Sequence, residues 1–354
     1  MTAPDRLEST PLIVGLPGPV LGDGQRQLLE DTRPAGVILF SRNIVDAEQT
    51  RNLVADLGEL EPRPFVCVDL EGGAVNRLEA IWGPLPSPSR CAAVGPDRVE
   101  RLGEAAGAAC HALGIQLDLA PVVDLFRNDG LIGRQERALS RDPHRAAELA
   151  RRFVEGLRRW GVAGCLKHFP GLGAVVEDTH ETLPILDTTI PEMDRHLEVF
   201  ATLSQEIPLV MVGHVIAPSL GDSVRPTSLA RSVMRLAADL PGSPVVITDD
   251  LEMGAMADQG DLPELVVRAL RAEGHGVLVC HAFDRIPEIV SAITSEAASD
   301  PVFAGRLESG TARLSTLRRE LCDRSSAVPA PGDEAVQQMW DELRKAVPIQ
   351  DPGP

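Results

Sequence analysis

Val162-Ala163-Gly164-Cys165-Leu166-Lys167-His168-Phe169-Pro170-Gly171-Leu172-Gly173 is an apolar run that stops at two titratable residues and gives way to proline and glycine. Its lead-in, 162–166, reads as a buried strand. Proline and glycine break regular structure, so a loop must leave the strand here. That loop carries Asp178 and His180 two residues apart. Titratable groups gathered just past a buried strand are costly for folding and natural for a site.

The same phrase recurs outward in both directions. Upstream, apolar runs read as strands at Leu12 to Leu16, Gly36 to Phe40, Phe65 to Val68 and Gln116 to Leu119. Downstream they fall at Pro208 to Val212, Val245 to Thr248 and Gly276 to Val279. Helical patterns follow most of them. Asp46 is placed to cap a helix running to about Leu60, and Asp142-Pro143 opens one that reaches Trp160. Continuous Val/Ile/Leu runs mark parallel strands buried on both faces. Eight such units in about 290 residues predict an α/β fold, a TIM-type (β/α)8 barrel. An open doubly wound sheet is the alternative, but no Gly-rich dinucleotide fingerprint follows the first strand. Residues 1–300 are expected to form the catalytic barrel. Residues 301–354 are expected to form a helical appendage packed on it, with helices over 303–321 and 332–346 and a mobile tail from Pro348. The stretch Gly72 to Pro96 exceeds ordinary loop length and is expected to be functional or partly structured.

The balance of 34 Lys+Arg against 52 Asp+Glu gives a net charge of -18. Nucleic acid and anionic membrane both need a basic surface, so neither is expected as a partner. No apolar run approaches membrane length. The first eight residues lack the basic start and apolar core of a signal peptide, which predicts a cytoplasmic protein. The six cysteines have neither metal-knuckle nor redox spacing and read as reduced. With 3% aromatic residues and no Tyr, platforms for stacking a sugar must be few, and Trp82 is a candidate. A monomer acting on a small molecule is expected.

Polar groups stand at strand ends: Asp69, Asp124, Lys167-His168, His214, Asp249-Asp250 and His281. In a barrel these converge on the C-terminal rim, where such enzymes hold their sites. Any one of them could be a solvated loop residue or a helix cap; for Asp124 and His281 that reading weighs as much as a functional one. As a set they need a common reason. Asp249, pinned at the end of a strand, could be a nucleophile or a metal ligand. Asp178 could orient the His180 imidazole for acid-base work. A fixed nucleophile and a mobile acid/base are what double-displacement glycoside hydrolysis requires, with a histidine where a second carboxylate is usual. The rival is a metallohydrolase with His168, His180, His214 and Asp249 as ligands. Metal barrels usually carry a His-x-His pair at the first strand end, and here that end reads Gly15-Leu16-Pro17-Gly18. No metal or other cofactor is therefore expected.

Five stretches carry a resemblance: Gly36 to Ile44 (GVILFSRNI), Val68 to Leu78 (VDLEGGAVNRL), Lys167 to Gly171 (KHFPG), Asp178-Thr179-His180, and Thr248 to Met253 (TDDLEM). Over roughly residues 10–300 the chain resembles glycoside hydrolase family 3, in its bacterial β-N-acetylhexosaminidase branch of cell-wall recycling. The resemblance implies a retaining exo-β-N-acetylglucosaminidase acting on terminal β-linked N-acetylglucosamine of muropeptides. Asp249, first of its pair, would be the nucleophile, His180 the general acid/base and Asp178 its partner. Asp69, Arg77, Arg137, Lys167, His168 and His214 would hold the carbohydrate. Four features depart from the family pattern. Leu172 stands where a second histidine is usual, Ala74 where an arginine is, and Leu70 where Gln or His is common. Two extra residues in 132–140 put Arg137 in question, with Arg134 as the fallback. A phosphorylase using the same residues and a catalytically silent sugar-binding homologue remain alternatives.

Overall fold

A computed structural model describes residues 8–179, 181–325 and 328–349. Residues 1–7 of the expected leaderless start, the expected acid/base His180, and 350–354 of the expected mobile tail lie outside the described residues. The barrel strands are Thr10–Gly15, Pro34–Leu39, Phe65–Val68, Leu117–Asp118, Ala163–Gly164 with Leu166–Phe169, Leu209–Val212, Val245–Asp250 and Gly276–Val279. Every pairing between neighbours is parallel. The circuit closes through one interrupted strand: Ala163–Gly164 pairs with Leu117–Asp118, and Leu166–Phe169 pairs with Leu209–Val212. This is the TIM-type (β/α)8 architecture with additional C-terminal helices. No described helix is long and apolar enough to cross a membrane.

Alternation along each strand divides the core in two. Ile13, Ile38, Cys67, Cys165, Met211, Ile247 and Leu278 fill the barrel interior, while Leu12, Val14, Val37, Val66, Val210 and Val246 face the helices. The sequence cues for the helices hold in detail. Asp46 accepts the Gln49 amide at 2.8 Å and Asp142 accepts the Arg145 amide at 2.8 Å, each satisfying a donor that the first helical turn leaves unpaired. All six cysteines are free thiols.

The long helix Pro301–Ser325 lies across the N-terminal end of the barrel. Its Leu314, Leu317 and Leu321 join the interior cluster, and Arg318 reaches the Arg63 carbonyl at 2.7 Å. The last helix, Asp333–Ala346, buries Trp340 against Trp82, with ring centroids 5.7 Å apart. Trp82 is 3% exposed, so it is a core residue and no platform for a sugar. The long segment after the third strand contains a hairpin, Leu70–Gly72 with Val75–Asn76, and two short helices, Glu79–Trp82 and Pro88–Val94.

Candidate active site

A cavity of about 430 Å³ opens at the C-terminal ends of the strands. Asp69, Arg77, Arg137, Lys167, His168 and Asp249 all line it. Asp178 is not on its wall, but its neighbour Thr179 is, and the Thr179 carbonyl accepts the Ala255 amide at 3.1 Å. The loop bearing Asp178 is thereby tied to the turn that follows Asp249.

Glu71, which the strand-end reading passed over, is the hub of the charged wall. Asp69 and Glu71 are two residues apart on an extended segment, so both face one side. Lys167 Nζ donates to Asp69 at 2.7 Å and lies 2.6 Å from Glu71. Arg137 meets Glu71 with both edges of its fork, Nε at 2.7 Å and Nη2 at 2.8 Å. Burial alone would push the Glu71 carboxyl up. Arg137 and Lys167 outweigh it and hold the group well below the usual carboxylate range. The Arg137 guanidinium, despite its own burial, is held charged by Glu71. Of Arg134 and Arg137, it is Arg137 that lines the cavity. Arg134 is exposed and bonds the Val176 carbonyl instead.

His168 is steered from behind. Its Nδ1 lies 2.8 Å from Asp124 Oδ2, while Asp124 Oδ1 accepts the Leu172 amide at 2.6 Å. Burial raises the Asp124 carboxyl, yet His168 and these amide contacts bring it below its ordinary value. An ionised Asp124 favours the tautomer with the proton on Nδ1, which makes Nε2 an acceptor, 3.5 Å from Arg137 Nη2. Asp124 is thus a support rather than a cavity residue. The amide that clamps it belongs to Leu172, whose side chain sits in an apolar pocket with Val122, Ile132, Val175 and Val215. A Cβ on Gly173 would lie 1.9 Å from the Leu125 carbonyl, so only glycine lets the two loops meet there. Leu172→His, which restores the usual family residue, is expected to destabilise this chain by about 1–3 kcal/mol, because the imidazole would enter that apolar cluster. Urea denaturation measures it.

Asp249 ends its strand beside two imidazoles. Burial pushes its carboxyl up. The fields of His168 and His214, the Asp250 amide at 2.9 Å and Lys167 more than offset that, so Asp249 is held below its ordinary value and ionised. His214 does not line the cavity. It is fully buried, with Nδ1 2.7 Å from Ser228 Oγ and Nε2 2.9 Å from the Asp250 carbonyl. Both nitrogens are engaged, so it supports the Asp249-Asp250 peptide and offers no free atom to a metal or a sugar. Among the described residues no group of three or more His, Cys, Asp and Glu is placed to hold a metal ion.

The second aspartate behaves oppositely. Burial, with Glu252 and Asp249 adding to it, pushes the Asp250 carboxyl up to about 7, although the Glu252 amide and the Cys280 thiol lower it in part. A raised carboxyl contributes stability that is complete below its unfolded value near 4 and is lost as pH rises toward about 7. Asp250→Asn is accordingly expected to gain stability over the parent above pH 7, by up to about 4 kcal/mol. Thermal melts at pH 5 and pH 8 test this; the gain should be confined to pH 8.

A closed barrel with a sugar-sized, charge-lined cavity on its C-terminal rim has the form of a barrel hydrolase. Residues 20–304 match the glycosyl hydrolase family 3 N-terminal domain. The chain is 33% identical over 309 residues to a β-hexosaminidase of Stenotrophomonas maltophilia strain K279a, covering 84% of this chain and 91% of that one. Its structure resembles that of a family 3 β-N-acetylglucosaminidase from Paenibacillus sp. strain FPU-7 (TM-score 0.84, 25% identity, 95% of this chain and 67% of the other). It also resembles native NagZ from Neisseria gonorrhoeae (TM-score 0.74, 26% identity, 95% and 98%). The chain belongs to glycosyl hydrolase family 3 and is a glycoside hydrolase.

Proposed function

We propose that the chain is a retaining exo-β-N-acetylglucosaminidase that releases terminal N-acetylglucosamine from muropeptide fragments in the cytoplasm. The observation that carries this reading is an ionised carboxylate, Asp249, sharing one cavity with the Asp69, Glu71, Lys167 and Arg137 network. The β-hexosaminidase and β-N-acetylglucosaminidase relatives support the sugar. The charged wall suits recognition of hydroxyls, since buried fixed donors and acceptors discriminate against a ligand lacking the matching group.

In the proposed reaction Asp249 attacks the anomeric carbon. The glycosidic C–O bond breaks, and protonated His180 gives its proton to the departing oxygen. A covalent glycosyl-Asp249 ester results. Water then attacks the same carbon, neutral His180 takes its proton, and Asp249 leaves as a carboxylate. Asp178 is assigned the part of carboxylate partner to His180. Asp69, Lys167, Arg137, Arg77 and His168 hold the sugar. Lys167 and His168 leave adjacent positions of one strand, so their placement is set by barrel backbone rather than by loop. Release of p-nitrophenol from p-nitrophenyl N-acetyl-β-glucosaminide, and of free N-acetylglucosamine from a muropeptide, tests the proposal. A chain that releases neither is not this enzyme.

A further inference from the structure

A second cavity, of about 510 Å³, lies behind the Asp124 loop, against the helix Ile190–Leu203. Its polar wall is formed by Arg127, Arg141, Arg195 and His196, with Glu192 and Thr188. Three guanidiniums around one cavity are notable in a chain of net charge -18. Each is held by one edge. Arg141 lies 4.7 Å over the Phe126 ring and donates to Asn128, a neutral partner. Arg195 donates to the Arg141 carbonyl at 3.0 Å. Arg127 is the one with a carboxylate, Asp129, at 3.0 Å. Glu192 accepts the Thr189 amide and hydroxyl on one oxygen, Oε2, both at 2.9 Å, and its charge offsets part of that of Arg127. Arg141 and Arg195 make no ion pair with a described residue, so donors of their five-N–H forks remain for a ligand.

His196 closes the floor and is 6% exposed. Its Nδ1 faces the Gly171 backbone, where a Cβ would come within 2.4 Å, and is enclosed there without a partner among the described residues, so it is not offered to the cavity. Leu125 and Ala174, next to the Asp124 and Leu172 clamp, complete the wall. An anion in this cavity would join the Asp124 loop to the helix and stiffen the support behind His168.

We propose that this cavity is a binding site for a small tetrahedral oxyanion, free phosphate or the phosphate group of a monoester, separate from the glycoside site. Three delocalised cations, all solvent-exposed, around one concave surface suit a multivalent oxyanion better than a monovalent one. The proposal stands whether or not the sugar assignment does.

Titration calorimetry of the full chain with inorganic phosphate, at ionic strength matched with chloride, tests it. Saturable one-site binding is expected. Arg141→Ala with Arg195→Ala should weaken it at least about tenfold, the loss of even one charge-assisted contact being worth about that much. Arg42→Ala, at the mouth of the glycoside cavity, should leave it unchanged. If glycerol phosphate competes, monoesters are ligands too; if it does not, free phosphate is the ligand. Absence of saturable binding would overturn the proposal. So would binding that survives the double variant, or that is lost with Arg42→Ala instead. Circular dichroism of each variant separates loss of the site from loss of fold.

Discussion

Asp249→Ala is expected to lower kcat/KM on p-nitrophenyl N-acetyl-β-glucosaminide by about four orders of magnitude or more, some 5 kcal/mol of transition-state stabilisation. The other carboxylates of the cavity are engaged: Asp69 by Lys167, and Glu71 by Lys167 and Arg137. Asp250 is turned to the amides of Glu252 and Cys280, and its raised value leaves it half protonated near neutrality. The fold should hold with a small loss. The folded state favours the Asp249 carboxylate, so its removal forgoes that net stabilisation, while the two imidazoles beside it keep their partners, Asp124 for His168 and Ser228 with the Asp250 carbonyl for His214. Activity lost with a slightly lowered thermal midpoint is therefore the expected signature. A midpoint that collapses would make Asp249 a structural residue.

Glu71→Gln is expected to act on fold and function together. Glu71 is 1% exposed and compensates two buried cations. Removing one partner of a buried pair costs about 3–5 kcal/mol, because a charge is left uncompensated. Lys167 would retain Asp69 at 2.7 Å, so the low end, about 3 kcal/mol, is the expectation. The pH dependence has a definite sign. The depressed Glu71 carboxyl contributes stability that is present above its unfolded value, about 4.3, and is lost as pH falls through its folded value. The variant should lack that acid-side slope. With Arg137 unmoored, kcat/KM should fall by about a hundredfold, mainly through KM, as expected for a misplaced binding group. Denaturation from pH 3 to pH 7 and steady-state kinetics read the two effects separately.

What could be read from the chain itself follows from range. The eight strands were legible because parallel strands covered on both faces are written as continuous apolar runs. The helix starts at Asp46 and Asp142 were legible because capping is local. Polar residues at strand ends then had to share a rim. Contacts made across the rim were not legible. Asp124 reaches His168 over 44 residues, and only the closed barrel joins them. Glu71 could have been found by alternation with Asp69. It was missed because it lies past the apolar run, although Gly72-Gly73 directly after it marks the turn of a hairpin. His214 stands at a strand end as expected, yet its side chain turns away from the cavity, toward Ser228. Trp82 illustrates the same limit: the partner that buries it, Trp340, lies on the last helix. Leu172, the departure from the family pattern, is accounted for by the apolar cluster it completes and by its amide on Asp124.

The central claim is covalent catalysis by Asp249. The most direct measurement is peptide mass spectrometry after incubation with a 5-fluoro N-acetylglucosaminyl fluoride, which slows hydrolysis of the glycosyl ester. The account predicts one added sugar per chain, on Asp249, and none in Asp249→Ala. A sugar on Asp250 or any other residue, or turnover with no labelled chain, would contradict it.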